Sequence, residues 1–422
     1  MKIITLLLLI ISPVSYSLTV RCGNMLDVNA AKMLTDIYLE MRNEVFVKVE
    51  KYTNQQIDLD LSDKYCLPGL IDTHTHLSFE FGRDSYTERF QLNEADYAFK
   101  SITFAYKTLK AGFTTVRDLG DVFNVTIALK KAIQKGWVQG PRIYTAGKSL
   151  ATTGGHADPS NGYRKGLLPN MGPENGVING VAQAAQAVRQ RYKDGADLIK
   201  ITATGGVLSQ ASSGDNAQFN MDELQSIIAT ANDYGFKVTA HAHGKEGMKR
   251  AIIAGVASIE HGTYLDDEII KLMKQHGTYL VPTLIAGNWV TEKSKVPGFF
   301  PKVIAKKAAT IGPVIAKSFE KAHRAGVNIA LGTDSGVSAH GDNPKEFALM
   351  VKAGMTPMQA IAAATINAAT LLGRLDKLGS IEIGKYADLV VVTENPLNKI
   401  ETLEDVKVVI KAGIVEFPRF TD

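Results

Sequence analysis

From residue 67 to about residue 340, short apolar runs of strand character alternate with helical stretches, and no other feature restricts the fold as strongly. The runs fall at 67–76, 114–118, 142–146, 197–201, 236–241, 258–261, 278–282 and 328–334, with glycines such as Gly112, Gly255, Gly277 and Gly326 closing the helices between them. Glycine just past a helix is the expected stop signal, and strict β/α alternation calls for a parallel sheet. Eight such units fit a TIM (β/α)8 barrel, typically about 250 residues long. An open, doubly wound sheet is the rival. No G-x-G-x-x-G follows the first strand, so a dinucleotide site is not supported.

The flanks read differently. Residues 18–66 carry strand-like runs at 18–22, 37–41, 45–49 and 57–61, and after a helical stretch at 356–372 strand character returns at 379–392 and 406–410. The expected organisation is an α/β protein: a TIM barrel over 67–375, with a small β-sandwich domain built from 18–66 and 376–422. Residues 1–17 pair a charged start with an apolar run from Ile3 to Ile11 and small residues at Ser15 and Ser17. This predicts a secretory leader cleaved after Ser17, hence a secreted or periplasmic protein. No cysteine stands at the cleavage point and no later run is long enough to span a bilayer, so no stable membrane anchor is expected. Cys22 and Cys66 are the only cysteines. In an exported chain an even count invites a disulfide, but whether the two pair stays open. A net charge of +4 without a basic, aromatic-interleaved stripe argues against a nucleic-acid partner.

His74 and His76 stand at i and i+2, so on a strand they share a face and can hold one metal ion. Barrel enzymes place their chemistry at the C-terminal strand ends. Those ends add Lys200, His241, His261 and Asp334. Taken alone, a strand-end histidine is more often a core residue and Asp334 could be a helix N-cap; the six together are hard to obtain by chance. Lys200 is the informative one, because a bare ammonium inside a barrel is costly. Either it pairs with Asp118 or Glu260, or its neutral amine takes up CO2 as a carbamate bridging two metals, a reaction helped by the pKa lowering of burial.

These residues, with the motifs Pro68-Gly69-Leu70-Ile71-Asp72-Thr73-His74-Thr75-His76, Glu260-His261-Gly262, Gly332-Thr333-Asp334-Ser335 and the tail at 379–389, resemble the amidohydrolase superfamily. Thr153-Gly154-Gly155-His156 is similar to its imidazolonepropionase-like branch, which includes Xaa-Pro dipeptidases, carboxypeptidase-like enzymes and ochratoxin-cleaving amidohydrolases. The resemblance implies two divalent ions, zinc by default although the donors also admit Mn, Co or Fe. His74, His76 and Asp334 would bind the first ion and His241 and His261 the second, with carbamylated Lys200 and a hydroxide as bridges. Asp334 would shuttle the proton. Deaminases of the superfamily resemble a one-metal pattern with H-x-x-E on strand five. Here that strand reads His241-Ala242-His243-Gly244, which favours amide hydrolysis.

The implied substrate is a small molecule: an amide or peptide next to a C-terminal carboxylate, as in dipeptides, N-acyl amino acids or ochratoxin-like conjugates. The alternatives are a cyclic amide or lactone, and a non-catalytic, metal-free homologue. A homo-oligomer is expected because the family often assembles. His156 is a candidate for polarising the substrate. His243 is either a substrate contact or the strand-five ligand in place of His241. Tyr264 and His340, in loops after strands six and eight, are candidate pocket residues.

Overall fold

The computed structural model describes residues 17–210 and 213–418. The predicted leader therefore lies outside the described residues except for Ser17. The strands are β1 (Ser17–Asp27), β2 (Lys32–Arg42), β3 (Val45–Lys51), β4 (Leu59–Pro68), β5 (Leu70–Thr75), β6 (Phe113–Asp118), β7 (Arg142–Thr145), β8 (Ile199–Thr202), β9 (Val238–Ala242), β10 (Ser258–His261), β11 (Tyr279–Val281), β12 (Leu389–Val392), β13 (Val408–Lys411) and β14 (Ile414–Phe417).

Strands from both chain ends form one seven-stranded sheet, ordered β14-β13-β12-β4-β1-β2-β3. The expectation of a sandwich, two facing sheets, is corrected to this single sheet. The reason is local: β1 pairs with β2 on one side and β4 on the other, and β4 pairs with β12, so both termini join one ladder. Strand character expected from 379 begins only at Leu389, because left-handed turns at Gly379 and Gly384 interrupt pairing. Cys22 and Cys66 form a disulfide that ties β1 to β4, with Cα atoms 6.2 Å apart.

The middle of the chain is mixed α/β, with two parallel arcs, β5-β6-β7 and β8-β9-β10-β11. β5, β6, β8, β9 and β10 are buried along their whole length, as parallel strands covered on both faces must be. Helices such as Val181–Asp194 and Lys245–Ala254 alternate with them and end on left-handed Gly195 and Gly255. One correction concerns the eighth run. Residues 328–334 form no named strand; Ile329 bridges Leu280 and Ser335 bridges Thr75. Backbone bonds still join the run to its neighbours, from Leu280 N–H to Asn328 O and from Ala330 N–H to Leu280 O on one side, and from Thr73 N–H to Leu331 O and Asp334 N–H to His74 O on the other. The regular pattern breaks where Thr333 turns its N–H and hydroxyl to the Asp72 carboxylate.

The arcs are fastened to the seven-stranded sheet through Asp388. Its carboxylate accepts from Arg142 Nη1 at 2.8 Å, Thr114 Oγ1 at 2.9 Å and the Ala412 N–H at 2.9 Å.

Candidate metal centre

β5 delivers His74 and His76 to one cavity of about 780 Å³, whose wall also carries Lys200, His241, His261 and Asp334. The Asp334 Oδ1 atom lies 3.3 Å from His74 Nε2 and 3.1 Å from His76 Nε2. Donor atoms of these three residues all fall within 4.8 Å of one another. Asp334 and His261 both hold left-handed backbone conformations, at φ 57° and 73°. Such strain in a non-glycine residue costs roughly 1–3 kcal/mol and persists where the surroundings impose it. At Asp334 the imposition is visible: its N–H donates to His74 O, and Thr333 is held by Asp72.

The far nitrogens of the histidines are already assigned. His76 Nδ1 donates to Gly120 O at 2.8 Å, and His241 Nε2 donates to Gly205 O at 3.1 Å. A carbonyl only accepts, so each ring keeps a lone pair on its other nitrogen. His261 Nδ1 rests on Thr283 Oγ1 at 2.7 Å. His74 Nδ1 sits 2.8 Å from Glu260 Oε2, as close as an ion pair but off the line of the N–H bond. Outer partners of this kind hold a metal-binding imidazole in one tautomer and orientation. The donor set fits a divalent cation: lone pairs converge beside a carboxylate, and burial keeps His241 and His261 well below the ordinary histidine range. At Asp334 burial acts to raise the pKa, but His74 and His76 outweigh it and hold the carboxylate ionised.

Lys200 is buried, and burial lowers its amine to about 8. Neither carboxylate suggested as its ion-pair partner takes that role. Glu260 gives its Oε1 to Arg117 at 2.9 Å and its Oε2 to His74, while Asp118 accepts the Leu77 N–H at 2.6 Å. Among the described residues Lys200 Nζ makes no hydrogen bond or ion pair. The residue lines the same cavity wall as the histidines, and Glu260 and Asp334 act on its charge from nearby.

His241 and His243 both reach the cavity wall. The charge of Lys200 acts on His241 and His261, whereas His243 feels Lys307, Asp334 and Asp215 and anchors its Nδ1 on Thr263 at 2.6 Å. His243 is as buried as His241, and its ring lies 4.6 Å from His241 and 5.0 Å from His261. The His156 ring stacks on His241 at 4.3 Å, and its Nδ1 is buried without a partner. It fits only because residue 206 is glycine: a Cβ there would lie 2.1 Å from the ring. Burial first, then His243 and Lys200, lower His156 to about 3.

Two candidates are not brought to the site. Tyr264 is 45% exposed and lies off the cavity wall. His340 is buried against Phe104, its Nε2 donating to Phe79 O and its Nδ1 meeting Ser335 Oγ. Loop position alone does not set where a side chain points: His340 is held by Phe79 and Phe104 from a distant part of the chain, and Tyr264 stays half exposed. Sequence reading also missed Asp72, Arg117 and Glu260 as positioning residues. The only available signal was that charged residues on buried strands need partners.

The sequence model of the amidohydrolase family matches residues 65–415. The chain belongs to the amidohydrolase family. A crystal structure of a Xaa-Pro dipeptidase, with methionine bound in its active site, superposes with a TM-score of 0.92 at 48% identity, covering 95% of this chain and 99% of that one. Ochratoxinase from Aspergillus niger is 34% identical over 361 residues, 81% of this chain and 73% of its own length. Imidazolonepropionase from Shewanella oneidensis is 26% identical over 356 residues, 76% of each chain. The fold neighbours in this family are TIM-barrel proteins with a β-rich domain, and family membership makes the protein a hydrolase of amide bonds.

Proposed function

We propose that this amidohydrolase uses two metal ions to cleave an amide or peptide bond next to a C-terminal carboxylate, in dipeptides, N-acyl amino acids or related conjugates. Lys200 carries the reading: a buried, unpartnered amine of lowered pKa on the same cavity wall as His74, His76, His241, His261 and Asp334. As a carbamate it would become the missing anionic bridge. His74, His76 and Asp334 would hold one divalent ion and His241 and His261 the second, with zinc the default. Such ions lower the pKa of a water and polarise a carbonyl.

The chain's own residues supply the rest. Asp334, kept ionised, accepts the proton from the attacking water and returns it to the departing nitrogen as the C–N bond breaks. His156, a neutral ring on the cavity wall, is the candidate to hydrogen-bond the carbonyl oxygen as charge develops. The likeness to a Xaa-Pro dipeptidase with bound methionine, an amino acid with a free carboxylate, supports a peptide-like substrate. The more distant imidazolonepropionase favours a ring amide as the second reading. We further propose that the two arcs close through the 328–335 segment into a (β/α)8 barrel. Export is proposed as well, with the disulfide consistent with an oxidising compartment.

Turnover of dipeptides and N-acyl amino acids against cyclic amides, measured with the metal content of the same preparation, tests the reading. Two metals per chain and hydrolysis of the linear substrates are expected. Turnover of ring substrates alone would transfer the assignment to the second reading.

A further inference from the structure

A substrate with a C-terminal carboxylate needs a cation on the cavity wall, and the charges there are mostly committed. Asp121 accepts from Asn124, from the Thr126 N–H and from the Thr126 hydroxyl; Asp158 accepts from Gly154 and Ser160. Glu80 takes the His340 N–H, and Glu88 pairs with Lys100 at 2.7 Å. Of the cations, Lys200 belongs to the metal centre, and Arg89 is exposed and leans over Tyr86. Lys148 remains. It is half-buried on the wall, and among the described residues its ammonium has no hydrogen bond or ion pair.

Its backbone is held on both sides. The fully buried Arg191 donates to Lys148 O at 3.2 Å and to Glu174 O at 2.8 Å. The next residue, Ser149, donates to Leu119 O at 3.0 Å, and its Oγ lies 2.6 Å from where a Cβ on Gly120 would stand. Gly120 is the residue whose carbonyl holds His76. Lys148 thus rises from a segment packed directly behind the metal-binding end of β5.

On the amide-hydrolase reading above, we infer that Lys148 is the residue that binds the substrate carboxylate and so sets the preference for free-acid substrates. A half-buried ammonium with no protein partner, meeting a carboxylate, makes a charge-assisted hydrogen bond, and its loss raises KM while leaving the bond-breaking step nearly untouched.

The test compares wild type with Lys148→Ala, Lys148→Arg and Lys148→Glu on L-methionyl-L-proline and on the same dipeptide capped as the prolinamide. Lys148→Ala should raise KM for the free acid about tenfold or more, change kcat little, and leave the capped substrate unaffected. Lys148→Arg should restore most of the loss, and Lys148→Glu should invert the preference. Equal loss on both substrates, or none on the free acid, overturns the inference. Saturation-transfer NMR of L-proline and L-prolinamide reads the same contact without turnover. Lysine-dependent preference for L-proline in an enzyme that cleaves neither dipeptide would sink the peptide-substrate reading and keep the carboxylate site. Cleavage with no such preference would do the reverse.

Discussion

Glu260 acts on the site through His74 and through its charge on Lys200. Burial favours its protonated form, yet Arg117 and His74 outweigh that and hold it ionised. An anionic partner fixes the His74 tautomer and makes its inner nitrogen a stronger donor. Glu260→Gln keeps the shape and removes the charge. It should weaken metal retention by roughly 10–100-fold, read by dialysis against graded chelator, without abolishing the fold. Unchanged retention would mean that Glu260 only balances Arg117. This residue also marks the limit of reading by pattern. The i, i+2 pair and the strand-end residues Lys200, His241, His261 and Asp334 follow from strand period and barrel polarity, so they were legible. Glu260 stands one residue before His261, on the strand's inward face, where its role depends on what β5 and β6 place opposite it. Tyr264 and His340 failed for the same reason in reverse: their surroundings come from distant segments.

At the level of elements, the alternation of strands and helices was legible because most arc strands, β5, β6, β8, β9 and β10, are buried on both faces. The eighth run, Asn328 to Asp334, makes backbone bonds to Leu280 and to β5 as its composition predicts, but forms no continuous strand because Thr333 gives its N–H to Asp72. The joining of the two chain ends was legible, whereas the single sheet was not, since pairing partners far apart in sequence leave no local trace. Two contacts should control this unit. The Cys22–Cys66 bridge closes a 44-residue separation, and removing it as the double alanine variant should cost roughly 4 kcal/mol by chain entropy, seen as a lower urea midpoint. Asp388→Ala strands the Arg142 guanidinium, which is largely buried. A loss of about 3–5 kcal/mol is expected for breaking such a pair. A change within experimental error would show that the sheet and arcs hold together without it.

Across the whole molecule, the proposed ligands come from β5 and the residue just after it, from β8, β9 and β10 and from the turn at Asp334, so cations held by that full set would link both arcs and most of the chain's length. A ligand that binds only the folded state raises stability by mass action; chelation should therefore lower the melting temperature, and zinc should restore it. Restoration should depend on pH through Lys200. Its amine titrates near 8 in the fold against 10.5 when unperturbed. Between those values the unfolded chain binds the extra proton, so the metal-free protein gains stability as pH rises from 8 to 10.5; below 8 both forms are protonated and the burial penalty is fully present. Only the neutral amine takes up CO2. At pH 6 about 1% of the sites are neutral against about half at pH 8, so recovery of activity in zinc and bicarbonate should accelerate steeply between those values and level off above. Recovery that ignores both pH and bicarbonate would show that the centre forms without a modified lysine, and Lys200→Ala should then regain its metal equally well.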